Sequence, residues 1–127
     1  MALIRSVRGK TPVFGENCFL AENATVVGEV IMGSNCTVWF NAVVRGDVHS
    51  ITIGDDTNIQ DGAIIHCTYQ KAKTTIGSRV SIAHNAVVHG CTIERSLEAV
   101  LVLLLPKQTL CAVQQDVPQG RCGNWLS

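Results

Sequence analysis

Phe14, Leu20, Val26, Met32, Val38 and Val44 recur at an unbroken interval of six residues. Four residues after each come Cys18, Ala24, Val30, Cys36, Ala42 and Val48, all small or β-branched. The pattern resumes at Ile53, Ile59 and Ile65, with Thr57 and Ala63 at the fourth offset. It resumes again at Ile76, Ile82 and Val88, with Val80, Ala86 and Thr92. An α-helix repeats about every 3.6 residues, so apolar positions locked to six would drift around its surface. A plain strand alternates with period two over a longer run. A hexad of one large aliphatic, one small residue and frequent Gly reads instead as one short flat side of a parallel β-helix. Large aliphatics point in and stack coil on coil, while Gly and Asn hold the strained corners. Apolar residues make up 46% of the chain and aromatics only 5%, so a core of this kind must be aliphatic.

Two insertions break the beat. From Val44 to Ile53 the step is nine, which puts three extra residues near His49, Ser50 and Ile51. From Ile65 to Ile76 it is eleven, which puts five extra residues within "CTYQKAKT". Insertions in a solenoid become loops on one face, often the functional one. After Ile93 the hexad is lost, and the chain divides into a β-helix, residues 1–93, and an irregular or partly helical tail, residues 94–127. Within that tail Ser96 to Leu105 is expected to form a strand or short helix that caps the coil, because an uncapped coil exposes its core and a strand edge.

The hexad resembles that of the left-handed hexapeptide-repeat β-helices, an exception to the right-handed crossover rule. The resemblance implies three sides, so that three hexads close one coil. With the side that starts at Ile65 called side A, Ile76 opens side B, Ile82 side C and Val88 side A again. His66 and His89 then share one offset, one coil apart, and Arg45 lies in the same column one coil earlier. Adjacent coils are separated by roughly 4.8 Å, within reach of a shared metal ion. On side C, His84 follows Asp61 in a second column. The spacing alone does not decide whether His84 turns toward its own His89. In a homotrimer with side A of one subunit against side C of the next, the columns match: Arg45 meets Asp61, and the His66–His89 pair meets His84. Three neutral imidazoles with an open fourth position make a catalytic zinc arrangement, and Fe²⁺ or Co²⁺ suit the same ligands. His49, at the first insertion, reads as a surface residue.

Two stretches, "NAVVRGDVHSITIGDDTNIQDGAIIH" (Asn41 to His66) and "VSIAHNAVVHGCTI" (Val80 to Ile93), resemble the gamma-class carbonic anhydrase family, over about residues 12 to 93. The resemblance implies a homotrimer that hydrates CO₂ reversibly to bicarbonate through metal-activated hydroxide. It implies metal ligation by His66 and His89 of one subunit and His84 of its neighbour. It also implies an intersubunit Arg45–Asp61 ion pair and Gln60 hydrogen-bonded near the metal-bound solvent, and Asp47 falls on a family position. Active members carry glutamates on loops beside the metal. Here Val48 follows Asp47 and the loop after His66 has no acid, so proton removal is expected to be slow and hydration weak. Relative to that family the end of the chain reads as atypical and shortened.

Ten basic residues balance ten acidic ones, for a net charge of +0, so no nucleic-acid groove or anionic membrane surface is expected as partner. The start, "MALIRSVRGKTPVFG", lacks an apolar leader core, and the run "AVLVLLL" is too short to span a bilayer. The six cysteines form no CxxC pair, which points to reduced thiols in the cytoplasm, with Cys18, Cys36 and Cys91 as small core residues. Two other functions compete with the carbonic anhydrase reading: a hexapeptide-repeat acyltransferase using an acyl-CoA, and a non-catalytic trimeric scaffold that keeps the metal for structure.

Overall fold

The computed structural model describes residues 1–94 together with the short strands Val100–Val102 and Ala112–Gln114. The remaining residues, and with them the expected tail structure over 94–127, lie mostly outside the described residues. Residues 1–94 form an all-β parallel solenoid of about four turns, and no helix occurs among the described residues. The two short strands beyond it pair antiparallel.

Each side of the coil is a column of aliphatics in strict register. Side A stacks Val26, Val44, Ile65 and Val88, with Ile4 at its open end. Side B stacks Phe14, Met32, Ile53, Ile76 and Ile93. Side C stacks Leu20, Val38, Ile59 and Ile82. Val44, Ile65 and Val88 are fully buried, so the residue after each is turned outward by strand alternation. Sides A and B run into one another: the strands Thr25–Met32 and Val43–Ile53 each bend through a corner and continue.

The other corners need left-handed backbone, which most L residues resist. Asn17, Asn35, Asn41, Asp56 and Asn85 supply it, with φ between 56° and 64°. Asn and Asp tolerate this region because their short polar side chains bond locally. Gly54 answers a different need: a Cβ there would lie 2.6 Å from the amide nitrogen of Ser78, one coil away.

Three details depart from the hexad count. The first insertion occupies Asp47 to Ser50, because the register jumps from Gly28 opposite Gly46 to Val30 opposite Ile51. Ile51 is therefore core, 0% exposed, and takes the inward place that the count gave to Val48. In the last coil Ile93 pairs with Ile76 and is buried, while Thr92 faces out; this coil is one residue short. Cys67, within the second insertion, is as buried as Cys36, whereas Cys18 and Cys91 are half-buried.

Candidate metal centre

His66 and His89 are direct register partners on side A. Their ring centroids are 5.3 Å apart, with the planes tilted by 53°. The Nε2 atom of His66 lies 2.8 Å from Asp47 Oδ1. A carboxylate only accepts, so this nitrogen carries the proton and donates. Arg45 Nη1 donates to the other oxygen of the same carboxylate. His89 Nδ1 faces the Thr68 hydroxyl at 3.5 Å. Burial, and then the neighbouring His66 and Arg45, hold the His89 pKa below the usual imidazole range. Burial alone would raise the Asp47 carboxyl; the hydrogen bonds from His66 and Arg45 outweigh it and hold that pKa below the usual carboxylate range.

His84 stands elsewhere, on side C. Its column is the one counted from the sequence: Ile82 pairs with Ile59, so His84 and Asp61 both sit two residues on. Its Nδ1 lies 3.3 Å from Asp61 Oδ1, and its side chain is 64% exposed. An open cleft of ≈ 270 Å³ is lined by Trp39, Asn58, Gln60, Asp61 and His84. Gln60 Nε2 is 3.0 Å from the Ser81 hydroxyl. Among the described residues of one chain no group of three His, Cys, Asp or Glu could hold a metal ion, so the three histidines do not meet within a subunit. Within the chain Arg45 is paired with Asp47 rather than with Asp61, and Asp61 is paired with His84.

His49, expected at the surface, is half-buried. It shares a cleft of ≈ 150 Å³ with Arg8, Lys10, Glu29 and Asp47, and its Nδ1 accepts the Ser50 amide at 2.8 Å. Sequence reasoning missed Thr68, Trp39 and Asn58. Thr68 carried one signal, its place in the second insertion; the other two sit in unremarkable hexads.

The family described as "Bacterial transferase hexapeptide (six repeats)" matches residues 11–46. The chain is 48% identical over 82 residues to "Probable carbonic anhydrase" of Methanocaldococcus jannaschii, an overlap of 65% of this chain and 51% of that protein. It is 38% identical over 96 residues to "Gamma carbonic anhydrase 1, mitochondrial" of Arabidopsis thaliana, covering 72% of this chain and 35% of that one. Over about 70% of its length the chain is homologous to gamma-class carbonic anhydrases. Its parallel β-solenoid matches the left-handed hexapeptide-repeat β-helix of its structural neighbours. A solved structure of a putative acetyltransferase from Bacillus cereus has the same fold, with a TM-score of 0.72, 31% identity, and coverage of 77% of this chain and 56% of that one. The chain spans from about a third to about half the length of these curated relatives. No helix among the described residues is long and apolar enough to cross a membrane.

Proposed function

We propose that this chain is a metal-dependent lyase of the carbonic anhydrase type, acting on CO₂ and bicarbonate as a homotrimer. In this reading His66 and His89 of one subunit and His84 of its neighbour hold one metal ion at each interface. The observation that carries it is the registered pair of imidazoles at 5.3 Å on side A, with the third imidazole on a different side. The order of the columns supports the same docking: Arg45 precedes the histidine pair on side A, and Asp61 precedes His84 on side C. The donor set fits a borderline metal. Zn²⁺ suits imidazole nitrogen, as do Fe²⁺ and Co²⁺.

A divalent metal held by three neutral imidazoles acidifies a bound water to a pKa of about 7 and so supplies the nucleophile for CO₂ hydration. The chain's own residues prepare that site. His89 resists protonation, so its lone pair is available near neutral pH. Thr68 faces its Nδ1 and steadies the ring, as outer partners of ligating histidines do. Asp47 orients His66 and is itself held by Arg45; ligation through His66 Nε2 requires that carboxylate to swing aside. Gln60 lines the side C cleft beside His84, where it can hold solvent or substrate oxygen.

Metal analysis of the purified protein, paired with stopped-flow CO₂ hydration, tests this reading. One metal per chain with measurable hydration supports it. Metal without hydration favours the scaffold. The likeness to the putative acetyltransferase favours a second reading, acyl transfer from an acyl-CoA. Acyl-CoA binding by a metal-free protein would select it.

A further inference from the structure

The cleft of ≈ 150 Å³ at the first insertion has no part in the carbonic anhydrase reading. One of its walls is a hairpin near the start of the chain. Val7 and Lys10 exchange two backbone hydrogen bonds, at 2.9 and 3.0 Å, and so close a two-residue turn on Arg8 and Gly9. Both turn residues have positive φ, 53° and 76°. Asn or Asp followed by Gly is the usual sequence for such a turn, and Arg at the first position is strained. Strained residues of this kind cluster at ligand clamps. The Arg8 guanidinium also stands over the ring of Tyr69 in the second insertion, 5.7 Å from its centroid, within cation–π range. Three donors line the cleft: the Arg8 guanidinium, the Lys10 ammonium and His49. The His49 tautomer follows from its partner, because Nδ1 accepts the Ser50 amide and the ring proton is therefore on Nε2. None of the three donors has an acceptor among the described residues. Of the two carboxylates in the cleft, Asp47 is engaged by Arg45 and His66. Glu29 is half-buried and has no hydrogen-bond or ion-pair partner among the described residues.

We propose that this cleft is a binding site for hydrogen phosphate, with Arg8, Lys10 and His49 donating to its oxygens and Glu29 accepting from its hydroxyl. Two permanent cations, Arg8 and Lys10, against one open carboxylate, Glu29, leave the cleft net positive, so it draws an anion. Bonds from the guanidinium and the ammonium to an anionic oxygen are charge-assisted and strong. Glu29 decides which anion enters. A carboxylate only accepts, so it repels an oxyanion without a proton, such as sulfate, and bonds to one that keeps a hydroxyl. The number of oxygens narrows the choice further. Hydrogen phosphate has four, one for each of Arg8, Lys10, His49 and Glu29, whereas bicarbonate has three and leaves one of these groups unpaired. None of the four residues is a proposed metal ligand, so the site stands or falls apart from the carbonic anhydrase reading.

The test titrates the full chain with sodium phosphate near neutral pH, with sodium sulfate, sodium bicarbonate and sodium chloride as parallel arms at matched ionic strength. The backbone amides of Gly9, Lys10, Val48 and His49 are followed by ¹⁵N–¹H NMR. Phosphate should move them saturably, and sulfate should bind about tenfold more weakly or worse. Arg8→Asn keeps a residue that accepts the positive φ of the turn and removes the guanidinium. It should leave the fold intact and raise the phosphate Kd about tenfold. Glu29→Gln replaces one carboxylate oxygen with an NH₂ donor and should bring sulfate close to phosphate. The same titration of a His89→Ala chain separates this site from the metal centre, and phosphate binding should persist there with unchanged Kd. Any one of four results overturns the proposal: no saturable shift with phosphate, sulfate or bicarbonate binding as tightly as phosphate to the parent chain, an Arg8→Asn chain that binds like the parent, or binding lost in His89→Ala. Failure of CO₂ hydration, with these phosphate effects intact, would count against the hydration reading alone.

Discussion

His66 and His89 are twenty-three residues apart in the chain and face each other across one coil spacing, with ring centroids at 5.3 Å. The distance comes from the stacking of Ile65 on Val88 beneath them. His84, only five residues before His89, lies on another side of the coil. Nearness in sequence and nearness in space are inverted here.

That inversion predicts a site shared between subunits. His84→Ala and His89→Ala chains should each lose stoichiometric metal when purified alone, with the β-rich circular dichroism spectrum retained. Trimers mixed from the two should regain metal, because an interface with both residues intact reappears. Mixed trimers that assemble and stay metal-free would show that the ligands come from within one chain.

With metal removed by chelation, stability should decline as pH falls below the usual imidazole range. An unfolded His takes up its proton near about pH 6.5. Folded His89 resists until lower pH, so over that window the unfolded chain binds more protons and unfolding is favoured. Asp47 acts in the same direction further into acid. Its folded pKa is held down, so its contribution is present above the usual carboxylate range and lost as pH falls through the folded value. Urea unfolding at stepped pH, with His89→Gln for comparison, measures this. A drop near pH 6.5 of equal size in His89→Gln would assign it to another group.

Hydration should be slow even with metal bound, and small imidazole buffers should raise it. Rapid turnover needs a group that carries the released proton to buffer, best with a pKa near the working pH. Val48 cannot serve. His49 has its Nδ1 occupied by the Ser50 amide, so it must break that bond to take a second proton. A high rate that ignores buffer concentration would refute this account of the loops.

Ile65→Ala should destabilise the coil by about 2–5 kcal/mol, because Ile65 is 0% exposed and stacked between Val44 and Val88. Ile31→Ala, at a position 52% exposed, should cost less than about 1 kcal/mol. Urea midpoints at constant slope separate the two. Equal losses would mean that the columns do not bear the stability.

The sequence alone determined the coil, its inward columns and the register of the histidines. The reason is that a solenoid's geometry is a count along the chain: each hexad advances one side, and each insertion leaves the following register intact. Ile65 above Val44 and below Val88 could be read that way, and so could His66 beside His89. The tertiary structure decided what counting cannot reach. Which residue fills a place after an insertion depends on how the loop closes, and Ile51 rather than Val48 turned inward because the extra chain bulges out before it. Which group satisfies a side chain depends on rotamers and reach, so Arg45 found Asp47 within its own strand. The amide oxygen of Asn58 accepts from an indole nineteen residues back in the chain, one coil away in space. Hydrogen bonds of this kind have no period, and only the folded coil brings their partners to within 3 Å of each other.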